Sequence, residues 1–120
     1  MDIEAVIGSL NLEVLSGKER LKTEVRGGYT GDLLSDVMAN SKEGDLWITR
    51  QTHPNIVAVA SLKEHAGIIL VAGSEPAGET LERAANENIP IMVSELSGFE
   101  VTGRLYNLIT KKESETVSQR

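Results

Sequence analysis

Apolar residues recur at helical spacing at Ile3, Val6, Ile7 and Leu10 behind Asp2, which predicts a short capped helix over residues 3–10 ended by Asn11. Leu12, Val14 and Leu15 predict a short extended piece. Leu21, Thr23 and Val25 alternate with Lys22, Glu24 and Arg26, the pattern of a half-buried strand, and Gly27-Gly28 is expected to stop it. Asp32 is placed to cap a turn or short helix through Leu33, Leu34, Val37 and Met38, closed by Asn40. From there the order is regular: strand at 46–49, helix at 54–64, strand at 68–72, helix at 78–87, strand at 91–93, helix at 98–110.

Strands that alternate with helices of this length need crossover connections, and crossovers produce parallel neighbours. The run Ile68-Ile69-Leu70-Val71 has no polar face, as expected of a strand covered on both sides. The fold class that follows is α/β: one three-layer domain, a mainly parallel central sheet of about five strands, and helices on both faces. Ser97-Gly98-Phe99-Glu100 has the form of a capping box for the last helix. Residues 1–110 form the expected domain, and residues 111–120, with Val117 their one apolar member, read as a flexible polar tail.

A length of 120 residues suits a single core. Only Tyr29, Trp47, Phe99 and Tyr106 are aromatic, so that core is aliphatic. Eighteen acidic residues against twelve basic ones give a net charge of −6, which repels a phosphate backbone and argues against DNA as a partner. The absence of cysteine removes disulfides, thiolate-held clusters and thiol nucleophiles. No apolar run approaches the roughly 20 residues that cross a bilayer, and Met1-Asp2-Ile3-Glu4 lacks the basic start of a secretory signal. A cytoplasmic location without membrane attachment is the expectation.

In a parallel sheet the segments that follow the strands gather along one edge, where open α/β sheets bind ligands. Those segments are Arg50 to Pro54, Gly73 to Pro76 and Ser94 to Gly98. The knot Arg50-Gln51-Thr52-His53-Pro54 lies where a helix begins, and unpaired amides with the positive end of the helix dipole favour an anion there. Arg50, Gln51, Thr52, His53, Gly73 and Ser74 are therefore the candidate ligand-binding residues. The plainer reading is also available: Thr52 caps the helix, Pro54 is a first-turn residue and His53 faces solvent. His53 and His65 lie twelve residues apart at opposite ends of one expected helix, about 18 Å at 1.5 Å per residue, so they share no metal. His65 reads as a partner of the helix dipole. The chain lacks the phosphate loop, the dinucleotide fingerprint and the nucleophile elbow, so no motif supports kinase, dehydrogenase or hydrolase chemistry, and no metal or cofactor is expected.

The block VRGGYTGDLLSDVM, followed by GDLWITRQTHPNIVAVASLKEHAGIILVAGSEP, AANENIPIMVSEL and FEVTGRLYNLI, resembles the DRTGG domain over nearly all of residues 1–110. That domain accompanies CBS pairs in some family II pyrophosphatases, precedes the catalytic region of long phosphotransacetylases, and is similar in fold to the amino-terminal domain of HPr kinase. The motif that names the family falls at the knot and at the following strand end. Its Asp-Arg pair lies on Thr52 and His53, and its Thr-Gly-Gly triplet on Ala72, Gly73 and Ser74, so only Gly73 matches and His53 stands as a pH-dependent substitute for the arginine. The resemblance implies a non-catalytic regulatory or ligand-sensing domain that takes a small anionic metabolite such as an adenine nucleotide, and a homodimer. The alternative it carries is an interaction adaptor whose partner is an enzyme of anaerobic redox or acetyl metabolism.

Overall fold

The computed structural model describes residues 1–118, with side chains described through Lys111. Eleven elements follow one another: α1 (Ile3–Leu10), β1 (Glu13–Ser16), a 3₁₀ turn (Lys18–Arg20), β2 (Gly27–Thr30), α2 (Leu34–Asn40), β3 (Asp45–Thr49), α3 (Asn55–Leu62), β4 (Gly67–Leu70), α4 (Gly78–Asn86), β5 (Ile91–Val93) and α5 (Gly98–Ser118). The strands form one sheet in the order β1-β5-β4-β3-β2, parallel throughout except for β1, which runs antiparallel to β5.

The alternation of side chains along a strand sorts the core into two layers. Leu46, Ile48, Ile69, Val71 and Met92 point to one face and pack with Ile3, Val6 and Leu10 of α1 and Val101 and Leu105 of α5. Trp47, Ile68, Leu70 and Ile91 point to the other and meet Val37 of α2, Ile56, Val57 and Ala60 of α3, and Ala84 of α4. All five residues of β3 and all four of β4 are buried, as the lack of a polar face required. The fold is the expected three-layer α/β domain. No helix among the described residues is long and apolar enough to cross a membrane.

The structure departs from the hydrophobic pattern at four places. Leu21–Val25 is not a strand: it lies beside the amino terminus through the amides of Ile3 and Glu4, which donate to the carbonyls of Thr23 and Leu21 at 3.1 and 2.9 Å, and through the Val25 amide, which donates to Met1 at 2.9 Å. Three backbone hydrogen bonds to the first four residues thus imitate the alternation of a ladder. The strand is instead Gly27–Thr30, the glycine pair included. A Cβ on Gly28 would sit 3.0 Å from a methyl of Leu105, so the missing side chain lets α5 pack close over β2. Asp32 does not cap α2, whose N-cap is Leu33 without a side-chain bond. Finally, α5 continues past 110 to Ser118, so the expected tail begins as helix, while residues 119–120 lie outside the described residues.

His65 is the other correction. It is buried rather than exposed at the end of α3, stacks edge-on to Trp47 with ring centroids 5.7 Å apart, and shares a 2.8 Å hydrogen bond between Nε2 and the Ser41 hydroxyl. Burial pushes its pKa below the ordinary value, so it is a neutral core residue and not a charged partner of the helix dipole. Trp47 is fully buried and donates its indole N–H to the Gly31 carbonyl at 2.8 Å, which fixes the turn that leads out of β2.

Candidate functional site

Four connections meet at the carboxyl edge of the parallel strands: those after β2, β3, β4 and β5. Each is shaped by its own residues. After β3 the chain turns through Arg50-Gln51-Thr52-His53, with Arg50 and His53 exposed and Gln51 and Thr52 half-buried. Thr52 does not cap α3. The Nδ1 atom of His53 accepts the Asn55 amide at 3.1 Å, and the His53 carbonyl accepts the Ile56 amide at 3.1 Å. Two donors at the start of α3 are thereby satisfied within the chain, and Pro54 has none to offer. Because Nδ1 is an acceptor, the neutral ring carries its proton on Nε2, which is left as an exposed donor.

The carbonyl of Thr52 has a different task. It accepts the amide of Ala77 at 3.2 Å and the hydroxyl of the buried Thr80 at 2.6 Å, and so ties the β3–α3 loop to the start of α4. The next two amides, of Gly78 and Glu79, have no partner among the described residues. A Cβ on Gly78 would meet nothing within 4 Å, so the helix start is uncrowded on the side where that side chain would lie. The starts of α2, at Leu34 and Ser35, and of α5, at Gly98 and Phe99, likewise leave two amides each without a partner among the described residues. Gln51 reaches the other way: its side-chain amide donates to the Asp32 carbonyl.

Asp32 belongs to this edge although its spacing in the sequence suggested only a cap. One carboxylate oxygen, Oδ1, accepts both the Thr49 hydroxyl at 2.7 Å and the Arg50 amide at 2.9 Å. The Arg50 amide first and the Thr49 hydroxyl second hold the carboxyl below its usual range, so it is ionised at neutral pH. The signal that would have found it is the pairing of β2 with β3, which brings residues 32 and 50 together and is not readable from either segment alone.

Gly73 and Ser74 stand apart from the other four candidates. Gly73 takes a left-handed conformation, φ +68°, and its amide donates to the Ser94 carbonyl at 3.1 Å, while the Ser74 amide donates to Val71 at 3.1 Å. A side chain at residue 73 would press against the Glu95 carboxylate, 2.8 Å from its Oε2. Both line a cleft of about 320 Å³ that also holds Glu13, Glu75 and Glu95 and no basic residue, a poor surface for an anion. The structure therefore brings Arg50 and Gln51 together with Asp32, ties Thr52 to the start of α4, and sets Gly73 and Ser74 in a separate acidic cleft. A wider cleft, about 510 Å³, lies at the opposite edge of the sheet between Arg20, Arg26, Glu43, Glu64 and His65. Arg26 there is 3.5 Å from Glu43, and the hydrogen bond and like charge of Glu43 raise the pKa of Glu64. Among the described residues no group of three His, Asp or Glu side chains is placed to hold a metal ion.

Comparison with curated proteins gives no match. Among solved structures, the CBS and DRTGG domains of the regulatory region of Clostridium perfringens pyrophosphatase, crystallised with the activator diadenosine tetraphosphate, share this fold at a TM-score of 0.70 and 20% sequence identity. The match covers 87% of this chain, which spans 45% of that one. The family model of the DRTGG domain matches residues 5–108, and the chain belongs to the DRTGG domain family.

Proposed function

We propose that this chain is a non-catalytic regulatory module that binds a small anionic metabolite, an adenine nucleotide for preference, at the carboxyl edge of its sheet. The observation that carries the reading is the open start of α4, whose free Gly78 and Glu79 amides are held against the Arg50–His53 loop by the Thr52 carbonyl. Phosphate oxygens are good acceptors for two such amides in the positive field of a helix start. Arg50 and the Nε2–H of His53 supply further donors from the loop. Gly73 and Ser74 shape the turn that leads into α4. Support of a coarser kind comes from the family: the solved relative is a regulatory region crystallised with a nucleotide activator.

The test is thermal melting against ATP, ADP, AMP, acetyl phosphate, coenzyme A and inorganic phosphate. At 100 times its dissociation constant a ligand adds about 2.7 kcal/mol, a rise of several degrees in a domain of this size. The combined variant Arg50→Ala, His53→Asn keeps an acceptor for the Asn55 amide and removes the ring donor and the guanidinium, so it abolishes the rise. A rise that survives the variant places the ligand elsewhere.

A second reading is favoured by the exposed aromatics of α5. Phe99 is 89% and Tyr106 66% exposed, on the helix that packs beside the open edge strand β2, where the Thr30 and Thr102 hydroxyls meet at 2.8 Å. An apolar surface next to unpaired strand groups is one that a second copy or a partner enzyme would cover. Light scattering on a gel-filtration column separates the cases: a homodimer that Phe99→Asp dissociates supports self-association, and a wild-type monomer leaves the partner enzyme.

A further inference from the structure

The cleft at the amino edge of the sheet, about 510 Å³, lies within the size range of small-molecule sites, roughly 300–1,000 Å³. Its wall is tied together by main chain: the Arg26 amide donates to the Gly44 carbonyl and the Gly44 amide to the Glu64 carbonyl, both at 3.0 Å. His65, the next residue in that wall, supplies the observation that points to an occupant. It is 3% exposed, and its Nδ1 is the one buried side-chain nitrogen or oxygen without a hydrogen-bond partner among the described residues. The state of that atom follows from Ser41. The Ser41 hydroxyl gives its single hydrogen to the Val37 carbonyl at 2.6 Å, so in its 2.8 Å bond with His65 it accepts from Nε2–H. Burial outweighs the nearby Asp45 carboxylate and keeps the ring neutral. Nδ1 therefore carries a free lone pair, and a buried acceptor of this kind takes an N–H or O–H donor from the chain, from ordered water or from a ligand.

The surroundings select the charge of that donor. Arg20 and Arg26 stand in the cleft against Glu24, Glu43, Glu64 and Glu87, so its wall is acidic on balance. Helices α3 and α4 both end beside it, at Lys63 and Glu87, which adds the negative ends of two helix dipoles. Glu43 raises the pKa of Glu64 through a hydrogen bond and its like charge, and a cation held against the two relieves that repulsion. We infer that this cleft is a binding site for a small alkylammonium compound, which donates an N–H to His65 Nδ1 and sets its positive charge against Glu43 and Glu64. The site shares no residue with the strand-end edge and is independent of the nucleotide reading.

The experiment follows the imidazole nitrogens of the ¹⁵N-labelled chain in long-range ¹H–¹⁵N spectra at slightly alkaline pH. The chain has two histidines, and His65→Phe identifies the signals of His65. The probes are 1,4-diaminobutane and its fully N-methylated counterpart, which has the same two charges and no N–H group. The expected result is a saturable upfield shift of the His65 Nδ1 signal with diaminobutane, no such shift with the methylated compound, and His53 unmoved by either. Glu64→Gln, at an exposed position, keeps the folded spectrum and weakens the binding of diaminobutane roughly two- to fivefold, the worth of one exposed ion pair. An Nδ1 signal that stays in place at tens of millimolar diaminobutane overturns the inference and leaves ordered water as the partner of that atom. Equal shifts with both compounds overturn the hydrogen bond to Nδ1, and unchanged affinity in Glu64→Gln overturns the placement of the charge.

Discussion

The imidazole of His53 accepts the backbone N–H of Asn55 at 3.1 Å and closes the start of α3 from within. The knot that precedes this helix is thus a turn and a cap on one side. On its other side, through Thr52, it is the support of a second helix start that remains open. The two roles can be separated by mutation.

His53→Ala leaves the Asn55 amide without its acceptor and lowers stability by about 0.5–1 kcal/mol, the usual worth of a helix cap. His53→Asn restores an acceptor at the same place and returns most of that loss. Urea denaturation of the two variants checks the pair, and equal losses in both would show that the ring stabilises the loop by some other contact.

Thr80 is fully buried and donates to the Thr52 carbonyl at 2.6 Å. Thr80→Val keeps the shape and removes the donor. The expected cost is about 1 kcal/mol, a fall of about 4 °C in melting temperature. Ligand response should weaken as well, because the loop is no longer drawn against α4.

Gly17 sits at φ +70°, where a Cβ would overlap the backbone of Pro90 at the entry to β5. The clash is with main chain and cannot be relieved by a side-chain rotation. Gly17→Ala is expected to cost upwards of about 3 kcal/mol and to displace β1 from the sheet. A circular dichroism melt within two or three degrees of wild type would contradict this placement of β1.

The pH dependence of stability follows from His65. Its folded pKa lies below the ordinary 6.5 because burial disfavours the charged ring, so between the two values the unfolded chain binds a proton that the folded chain refuses. Stability is complete above 6.5 and falls as the pH drops below it. His65→Phe keeps an aromatic ring against Trp47 and removes the titration, so its stability is flatter than that of wild type between pH 7 and 5. Identical pH profiles would place the acid sensitivity elsewhere.

The elements from Asp45 to Val93 were legible because buried strands have no polar face and their helices carry apolar stripes: Leu46 to Thr49 and Ile68 to Leu70 could be little else. The region from Leu21 to Thr30 was not. Alternation at Leu21, Thr23 and Val25 arises from pairing with the first four residues, and two glycines concealed a strand whose neighbour, Leu105, needs the space they leave. The loop Arg50 to His53 was legible as a strand end, since topology alone places it on the carboxyl edge of the sheet. Asp32 and the free amides of Gly78 and Glu79 were not, because their place depends on which strands lie side by side and on a carbonyl, that of Thr52, whose direction no side chain announces.

The most direct test of a nucleotide at the open start of α4 is to follow the backbone amide resonances of the ¹⁵N-labelled chain during titration with ATP. The largest shifts are expected at Gly78 and Glu79, with smaller ones at Arg50, Thr52 and His53. Shifts confined to the cleft of Arg20, Arg26 and Glu64 at the opposite edge, or no shifts at millimolar ATP, would contradict the account.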